Sequence, residues 1–347
     1  MRLGVFLPNW IGDVVMATPA IRALRMQVGP QGRLIGIMRP YVAEVLAGTN
    51  WLDDSIYYDK PPGRFSFAGA GVYQALRAAK LDRIVLLTNS VRTAWMAWRS
   101  GAPERIGYAG NWRAWLLATK LPRSTMPKAT IDGYLHLAAA AGAAVDSRRL
   151  ELATTAAEER SADAVWRTLG LPSGDRVVVL NSGGAYGAAK RWPAEYFAEL
   201  AQRIVADGHW SVLVNCGPAE RQAAQEIERL AADPRIVSLA RFNELPIGLT
   251  KACLRRSRLV VSTDSGPRHI AIAFEKPVVT LFGPTDPAAT AIHYARETCL
   301  ALQLDCQPCM ARECPLVHHR CMRELTVDKV YAAVRLTLHD EVTAGAA

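Results

Sequence analysis

Apolar and polar positions alternate along this chain in a repeating order, short apolar runs followed by amphipathic stretches, from the first residues almost to the last. Arg2-Leu3-Gly4-Val5-Phe6-Leu7 reads as a buried strand that stops at Pro8-Asn9-Trp10-Ile11-Gly12-Asp13. Val14, Val15, Ala17, Ile21 and Leu24 then recur at helical spacing, which predicts a helix to about Val28. Strand-like runs at 34–38, 55–58 and 83–87 alternate with helical stretches near 41–47, 70–79 and 91–99. Alternation of this kind means a parallel sheet with helices on both faces.

The pattern lapses into polar sequence at 146–157 and then restarts with a helix near 158–169 and a turn at Leu171-Pro172-Ser173-Gly174-Asp175. Strands follow at 176–181, 211–216, 236–239 and 259–263, separated by helices at 193–207, 219–231 and 244–255. The expected fold is therefore α/β, with two doubly wound Rossmann-like domains. They are placed at residues 1–155 and 156–347, the second carrying a Cys-rich loop at 305–322. Two such domains facing each other leave a central cleft lined by strand carboxyl ends, where ligands of open α/β sheets bind. The tail from Thr343 reads as frayed.

A length of 347 residues fits two domains, and 50% apolar with 21% charged residues is a globular balance. The sequence contains no apolar run long enough for a membrane-spanning helix, and Met1-Arg2 leads into a strand without a signal-peptide pattern. A cytoplasmic protein is expected. The net charge of +9 favours an anionic partner, but the basic residues are spread along the chain, so nucleic-acid binding gains little from them. Seven cysteines without an export signal point to reduced thiols or a metal rather than disulfides.

Four places carry candidate chemistry. The strongest is the apolar run 259–263 ending in Asp264-Ser265-Gly266-Pro267-Arg268-His269, followed by the run Val278–Phe282 and Gly283-Pro284-Thr285. A small polar turn feeding a helix presents unpaired N–H groups to an anion, although Asp and Ser also serve as ordinary helix caps. In Asn9-Trp10-Ile11-Gly12-Asp13, Gly12 would ease a tight turn and Asp13 would be either a helix-dipole acid or a general base; the glycine fingerprint of dinucleotide folds is absent.

The loop Ser182-Gly183-Gly184 leads to Lys190-Arg191-Trp192-Pro193, where small residues admit a diphosphate and Lys190 and Arg191 supply countercharge. It lacks the ending of a nucleoside-triphosphate P-loop. Glu220, at the end of the run 211–216, could accept ribose hydroxyls or simply face a helix dipole. Last, Cys306, Cys309, Cys314 and Cys321 fall within 16 residues, which suits either a structural zinc or packed thiols.

Taken in order, Pro8-x-Trp10-Ile11-Gly12-Asp13, Lys190-Arg191-Trp192-Pro193, Asp264-Ser265-Gly266-x2-His269 and Phe282-Gly283-Pro284-Thr285-Asp286-Pro287 resemble the ADP-heptose:lipopolysaccharide heptosyltransferases, glycosyltransferase family 9. The first two strings look more like its type II branch. The resemblance covers nearly the whole chain. It implies a GT-B architecture, with the acceptor held by the first domain and the nucleotide sugar by the second, and inverting transfer that needs no metal or other cofactor. Asp13 then matches the base and Lys190 the diphosphate lysine. Glu220 matches the ribose acid, and Asp264, Ser265, Gly266 and His269 the nucleotide turn. Ser182, Gly183, Gly184 and Arg191 complete the donor side, and Asn9, Trp10 and Gly12 lie on the acceptor side. The implied partners are ADP-heptose, a lipid A-linked inner-core oligosaccharide and, peripherally, the cytoplasmic face of the inner membrane, with no nucleic acid. A relative using another nucleotide sugar, a nicotinamide oxidoreductase and a zinc- or nucleic-acid-binding module are the competing readings.

Overall fold

Apolar runs such as Leu3–Leu7 are stable only where both faces are covered, and the structure, a computed structural model, buries them in parallel sheets. It describes residues 1–59, 69–184 and 186–344. The end of the expected frayed tail, 345–347, lies outside the described residues, while Thr343 and Ala344 belong to the last helix. The chain forms two compact units, residues 1–153 with 290–292, and 154–289 with 293 onward.

In chain order the first unit contains β1 (Arg2–Phe6), α1 (Ile11–Met16), α2 (Thr18–Val28), β2 (Arg33–Met38), α3 (Pro40–Leu46), β3 (Asp54–Tyr57), α4 (Ala70–Ala78), β4 (Arg83–Leu86), α5 (Val91–Arg99), β5 (Glu104–Tyr108), β6 (Thr119–Leu121) and α6 (Thr130–Ala140). Its sheet runs β3-β2-β1-β4-β5-β6. The single helix expected up to Val28 is two helices. Pro19 has no N–H to give to Val15, and the Thr18 hydroxyl donates to that carbonyl instead at 2.8 Å, so the backbone breaks at Ala17. Gly12, expected to ease the turn, lies inside α1. Strands β5 and β6 escaped the apolar pattern because they are short and carry Glu104, Arg105, Gly107 and Lys120.

The second unit contains α7 (Ala156–Leu169), β7 (Val177–Asn181), α8 (Ala194–Ala206), β8 (Ser211–Asn215), α9 (Arg221–Ala231), β9 (Ile236–Ser238), α10 (Ile247–Arg256), β10 (Leu259–Thr263), α11 (Gly266–Ala273), β11 (Val278–Leu281), β12 (Glu297–Leu300), α12 (Arg320–Arg323) and α13 (Val327–Ala344). Thr155 and Glu158 cap α7 reciprocally, at 3.2 and 2.7 Å, which fixes the start of this unit. The sheet order is β12-β11-β10-β7-β8-β9, the same winding as the first. In each sheet the order reverses beside the first strand, between β1 and β4 and between β7 and β10. Chains leaving adjacent strands there go to opposite faces, which opens a crevice at the strand carboxyl ends.

Candidate functional site

At the switch point of the second unit, Asn181 ends β7 beside Ser262 of β10 on one side and Asn215 of β8 on the other. Three buried polar residues at sheet ends need partners, and they supply one another. The Asn181 amide donates to the Gly183 carbonyl (3.0 Å), the Ser262 hydroxyl (3.2 Å) and the Ser265 hydroxyl (3.1 Å), while Asn215 donates to the Asn181 amide oxygen at 2.9 Å. The Thr263 hydroxyl donates to the Gly183 carbonyl at 3.2 Å. This network pins the Ser182–Gly184 loop against the Ser265 turn, and a Cβ on Gly184 would stand 3.3 Å from that of Ser265.

Glu220 closes the other side. Its carboxylate accepts the Gly217 N–H at 3.1 Å, and its stem lies so close to Gly183 that a Cβ there would meet Glu220 Cγ at 2.3 Å. Position 183 therefore has to be glycine while Glu220 stays in place.

A chain of charges lies beneath this surface. Lys190, buried, donates to the Asp264 carbonyl at 2.7 Å and to its carboxylate at 2.8 Å. The same carboxylate accepts from Thr285 (2.7 Å) and Arg268 (3.1 Å), and Arg268 forks onto Glu297 at 2.6 and 3.1 Å. Thr280 donates to Glu297 at 2.5 Å. Burial pushes the Asp264 carboxyl up, but the Lys190 and Arg268 charges outweigh it and hold the group well below the usual carboxylate range. His269 is pushed down to about 3 by burial and the neighbouring Arg268 charge, so the imidazole is neutral. Its Nδ1 and the Ser182 hydroxyl are buried without hydrogen-bond partners among the described residues. Orphaned polar atoms at strand carboxyl ends are what a polar ligand would satisfy.

Nine of the residues singled out in the sequence are thus assembled in one unit: Ser182, Gly183, Gly184, Lys190, Glu220, Asp264, Ser265, Gly266 and His269. Lys190 differs from the expectation of a free countercharge, since two of its three N–H donors already go to Asp264. Arg191 is exposed. Arg268 and Thr285 stand within the candidate strings without a role expected of them, and Glu297 lies outside every string. Arg268 stands four residues after Asp264 on a helix, a spacing that signals an ion pair; Glu297 gave no local signal.

In the first unit Asn9, Trp10, Gly12 and Asp13 follow β1 at the equivalent switch point. Two tyrosine hydroxyls fix Asn9, Tyr41 donating to its carbonyl and Tyr58 to its amide oxygen at 3.4 Å. Asp13, half-buried in the first turn of α1, lies near Tyr134, whose phenol is raised by burial and then by the Asp13 charge.

The four cysteines of the 305–322 loop line one small cavity of about 20 Å³ with His318. Cys321 is buried and Cys309 exposed, so the thiols lie at different depths. Among the described residues no three His, Cys, Asp or Glu side chains are grouped to hold a metal ion, so the structure does not show the expected structural zinc. The loop packs on the Lys190 segment instead: Ala189 donates to the Arg312 carbonyl at 2.9 Å, Tyr186 to that of Met310 at 2.5 Å, and Gln307 to that of Gly283 at 2.6 Å.

Two parallel sheets wound in this way, each reversing its strand order beside its first strand, define a two-domain, doubly wound α/β protein. Residues 70–319 match the sequence profile of glycosyltransferase family 9 (heptosyltransferase), and the chain belongs to that family. It is 32% identical over 166 residues to lipooligosaccharide heptosyltransferase 2 of Campylobacter jejuni, covering 48% of this chain and 52% of that protein; the chain thus spans about half the length of that curated relative. Lipopolysaccharide heptosyltransferase 2 of Escherichia coli is 24% identical over 308 residues, covering 84% of this chain and 85% of the relative. Among solved structures, that of the E. coli ADP-heptose LPS heptosyltransferase II superposes with a TM-score of 0.80 at 22% identity, covering 98% of this chain and 99% of the other. The likeness places the fold with the GT-B architecture expected from sequence.

Proposed function

We propose that the protein is an inverting heptosyltransferase of the type II branch, moving heptose from ADP-heptose to the lipid A-linked inner core of lipopolysaccharide. The observation that carries this reading is the Lys190–Asp264–Arg268–Glu297 network under a glycine-lined surface, where the His269 Nδ1 and the Ser182 hydroxyl are buried and unsatisfied among the described residues. The names of the relatives support the choice of sugar and acceptor. Residues 156–347 bind the donor and residues 1–155 the acceptor.

In this reading the diphosphate meets the backbone N–H groups of Ser265 and Gly266 and the third N–H of Lys190, whose ammonium is kept in place by Asp264. Asp264 is held charged by its cationic neighbours and cannot drift to a neutral form that would release Lys190. Glu220, Ser182 and His269 offer acceptors and donors to the nucleoside. A neutral His269 adds no repulsive or attractive charge, so it contributes a hydrogen bond only. Asp13 accepts the proton of the acceptor hydroxyl as its oxygen attacks the anomeric carbon on the face opposite ADP, breaking the bond to the diphosphate. Negative charge grows on the leaving group, and preorganised N–H donors with Lys190 stabilise it without a metal. The enzyme works in the cytoplasm, peripherally at the inner membrane where its acceptor is anchored.

Calorimetric titration tests the donor half. ADP and ADP-heptose should bind with similar affinity and NAD not at all. Tight binding of NAD, or of another nucleotide sugar in preference to ADP-heptose, would refute it.

A further inference from the structure

Nine tryptophans occur in the chain, and three that fall within 18 residues of one another are exposed: Trp112 at 94%, Trp115 at 62% and Trp98 at 41%. Trp95 and Trp98 of α5 lie 5.0 Å apart between ring centroids, and Trp115, from the turn before β6, meets them edge-on at 6.2 and 6.3 Å. These rings are held rigidly against one another, yet their outer surfaces face solvent. Large apolar area left exposed on an ordered frame marks a contact surface.

The stretch of chain that carries it is strongly basic. Residues 70–131 hold ten Lys and Arg against two carboxylates, Asp82 and Glu104, a net of +8 where the whole chain has +9. Beside α5, Tyr73, Gln74, Arg77, Ala78 and Arg99 line an open groove of about 580 Å³. Arg99 lies over the Tyr73 ring at 5.9 Å, and Arg77 donates to the Arg99 carbonyl at 3.2 Å, so both side chains are fixed at the groove. Arginine forks match phosphate oxygens, and tryptophan rings, apolar with one N–H, settle at the level of lipid headgroups.

We infer that the outer face of α4, α5 and the Trp112–Trp115 turn docks on an anionic phospholipid bilayer, the tryptophans entering the headgroup layer and Arg77 and Arg99 taking lipid phosphates. This deepens the proposed peripheral membrane association by naming its surface, and rests on that association alone.

The test is cosedimentation of the full chain with vesicles of phosphatidylcholine, with and without phosphatidylglycerol, in the absence of any sugar nucleotide, so that failure of the heptosyl-transfer reading would not alter the result. The protein should bind only the anionic vesicles, with binding weakened by salt and a blue shift of tryptophan emission. Trp112→Ser with Trp115→Ser should lower the partition coefficient roughly tenfold or more, as loss of buried aromatic area requires. Arg77→Gln with Arg99→Gln should lower it by roughly 25-fold, about fivefold per basic residue. Trp112 is almost fully exposed while Trp115 touches Trp95 and Trp98, so circular dichroism checks that the double variant folds, and Trp112→Ser alone should still lower the partition coefficient. No binding to either vesicle, binding unaffected by both double variants, or a dimer in solution that the tryptophan variants abolish would each overturn the assignment, the last by giving the face to a second copy of the chain.

Discussion

Replacing Lys190 with methionine keeps the length and packing of the side chain and removes only its charge and donors. The Asp264 carbonyl and one carboxylate oxygen then lose bonds of 2.7 and 2.8 Å in a buried setting. Breaking a buried pair from one side costs about 3–5 kcal/mol; because Arg268 and Thr285 still hold the carboxylate, the lower end, about 3 kcal/mol, is expected. For a unit of this size that is a fall in Tm of roughly 6–12 °C. Scanning calorimetry reads it, and titration with ADP should show affinity reduced by roughly tenfold, as loss of a charge-assisted contact implies. Lys190→Arg should recover part of both. The sign with pH is definite: Asp264 is depressed in the fold, so its contribution is present above the ordinary carboxylate range and is lost as pH falls through the folded value. Lys190→Met should therefore be less acid-sensitive than the parent. An unchanged Tm together with unchanged ADP affinity would refute the view that Lys190 is both anchored by Asp264 and directed at the donor.

Other expectations follow from single residues. Asp13→Asn should cut turnover by roughly 10² to 10⁴ with ADP affinity unchanged, measured by steady-state kinetics beside calorimetric titration; near-parental turnover would leave Asp13 a helix acid. Gly183→Ala puts a Cβ at 2.3 Å from Glu220 Cγ, so it should destabilise by about 1–3 kcal/mol and weaken ADP binding, whereas removing Glu220 as well should restore much of the stability. His269, neutral to about 3, lets the unfolded chain bind an extra proton below pH 6.5; stability should fall from there with a slope of up to about 1.4 kcal/mol per pH unit, and His269→Gln should flatten denaturation profiles in that window. Brief EDTA treatment should leave transfer intact in product assays, and rapid loss of activity without loss of ellipticity would contradict transfer without a metal.

Much of the fold is legible in the sequence because buried parallel strands such as Val177–Asn181 and Leu259–Thr263 are continuous apolar runs, ending where a polar residue meets a turn. Edge strands such as Thr119–Leu121 are half-buried and too short for such a signal. The break between α1 and α2 depends on one missing N–H at Pro19, visible in the sequence only to a reader who weighs that proline above the apolar period.

The residues proposed to meet the donor are legible as motifs, but their wiring is not. Which partner Lys190 takes depends on the turn after β10 meeting the segment after β7, and Glu297 reaches Arg268 from a strand 29 residues away. The four cysteines illustrate the converse, since spacing suited to a metal does not fix the depth at which each thiol sits.

Incubation with ADP-heptose and inner-core acceptors, with and without a first heptose, tests heptosyl transfer most directly, with the products read by mass spectrometry. The protein should add one heptose residue to the already heptosylated acceptor, with release of ADP and inversion at the anomeric carbon, and Asp13→Asn should give little product. No product from ADP-heptose, or transfer only from another nucleotide sugar, would contradict it.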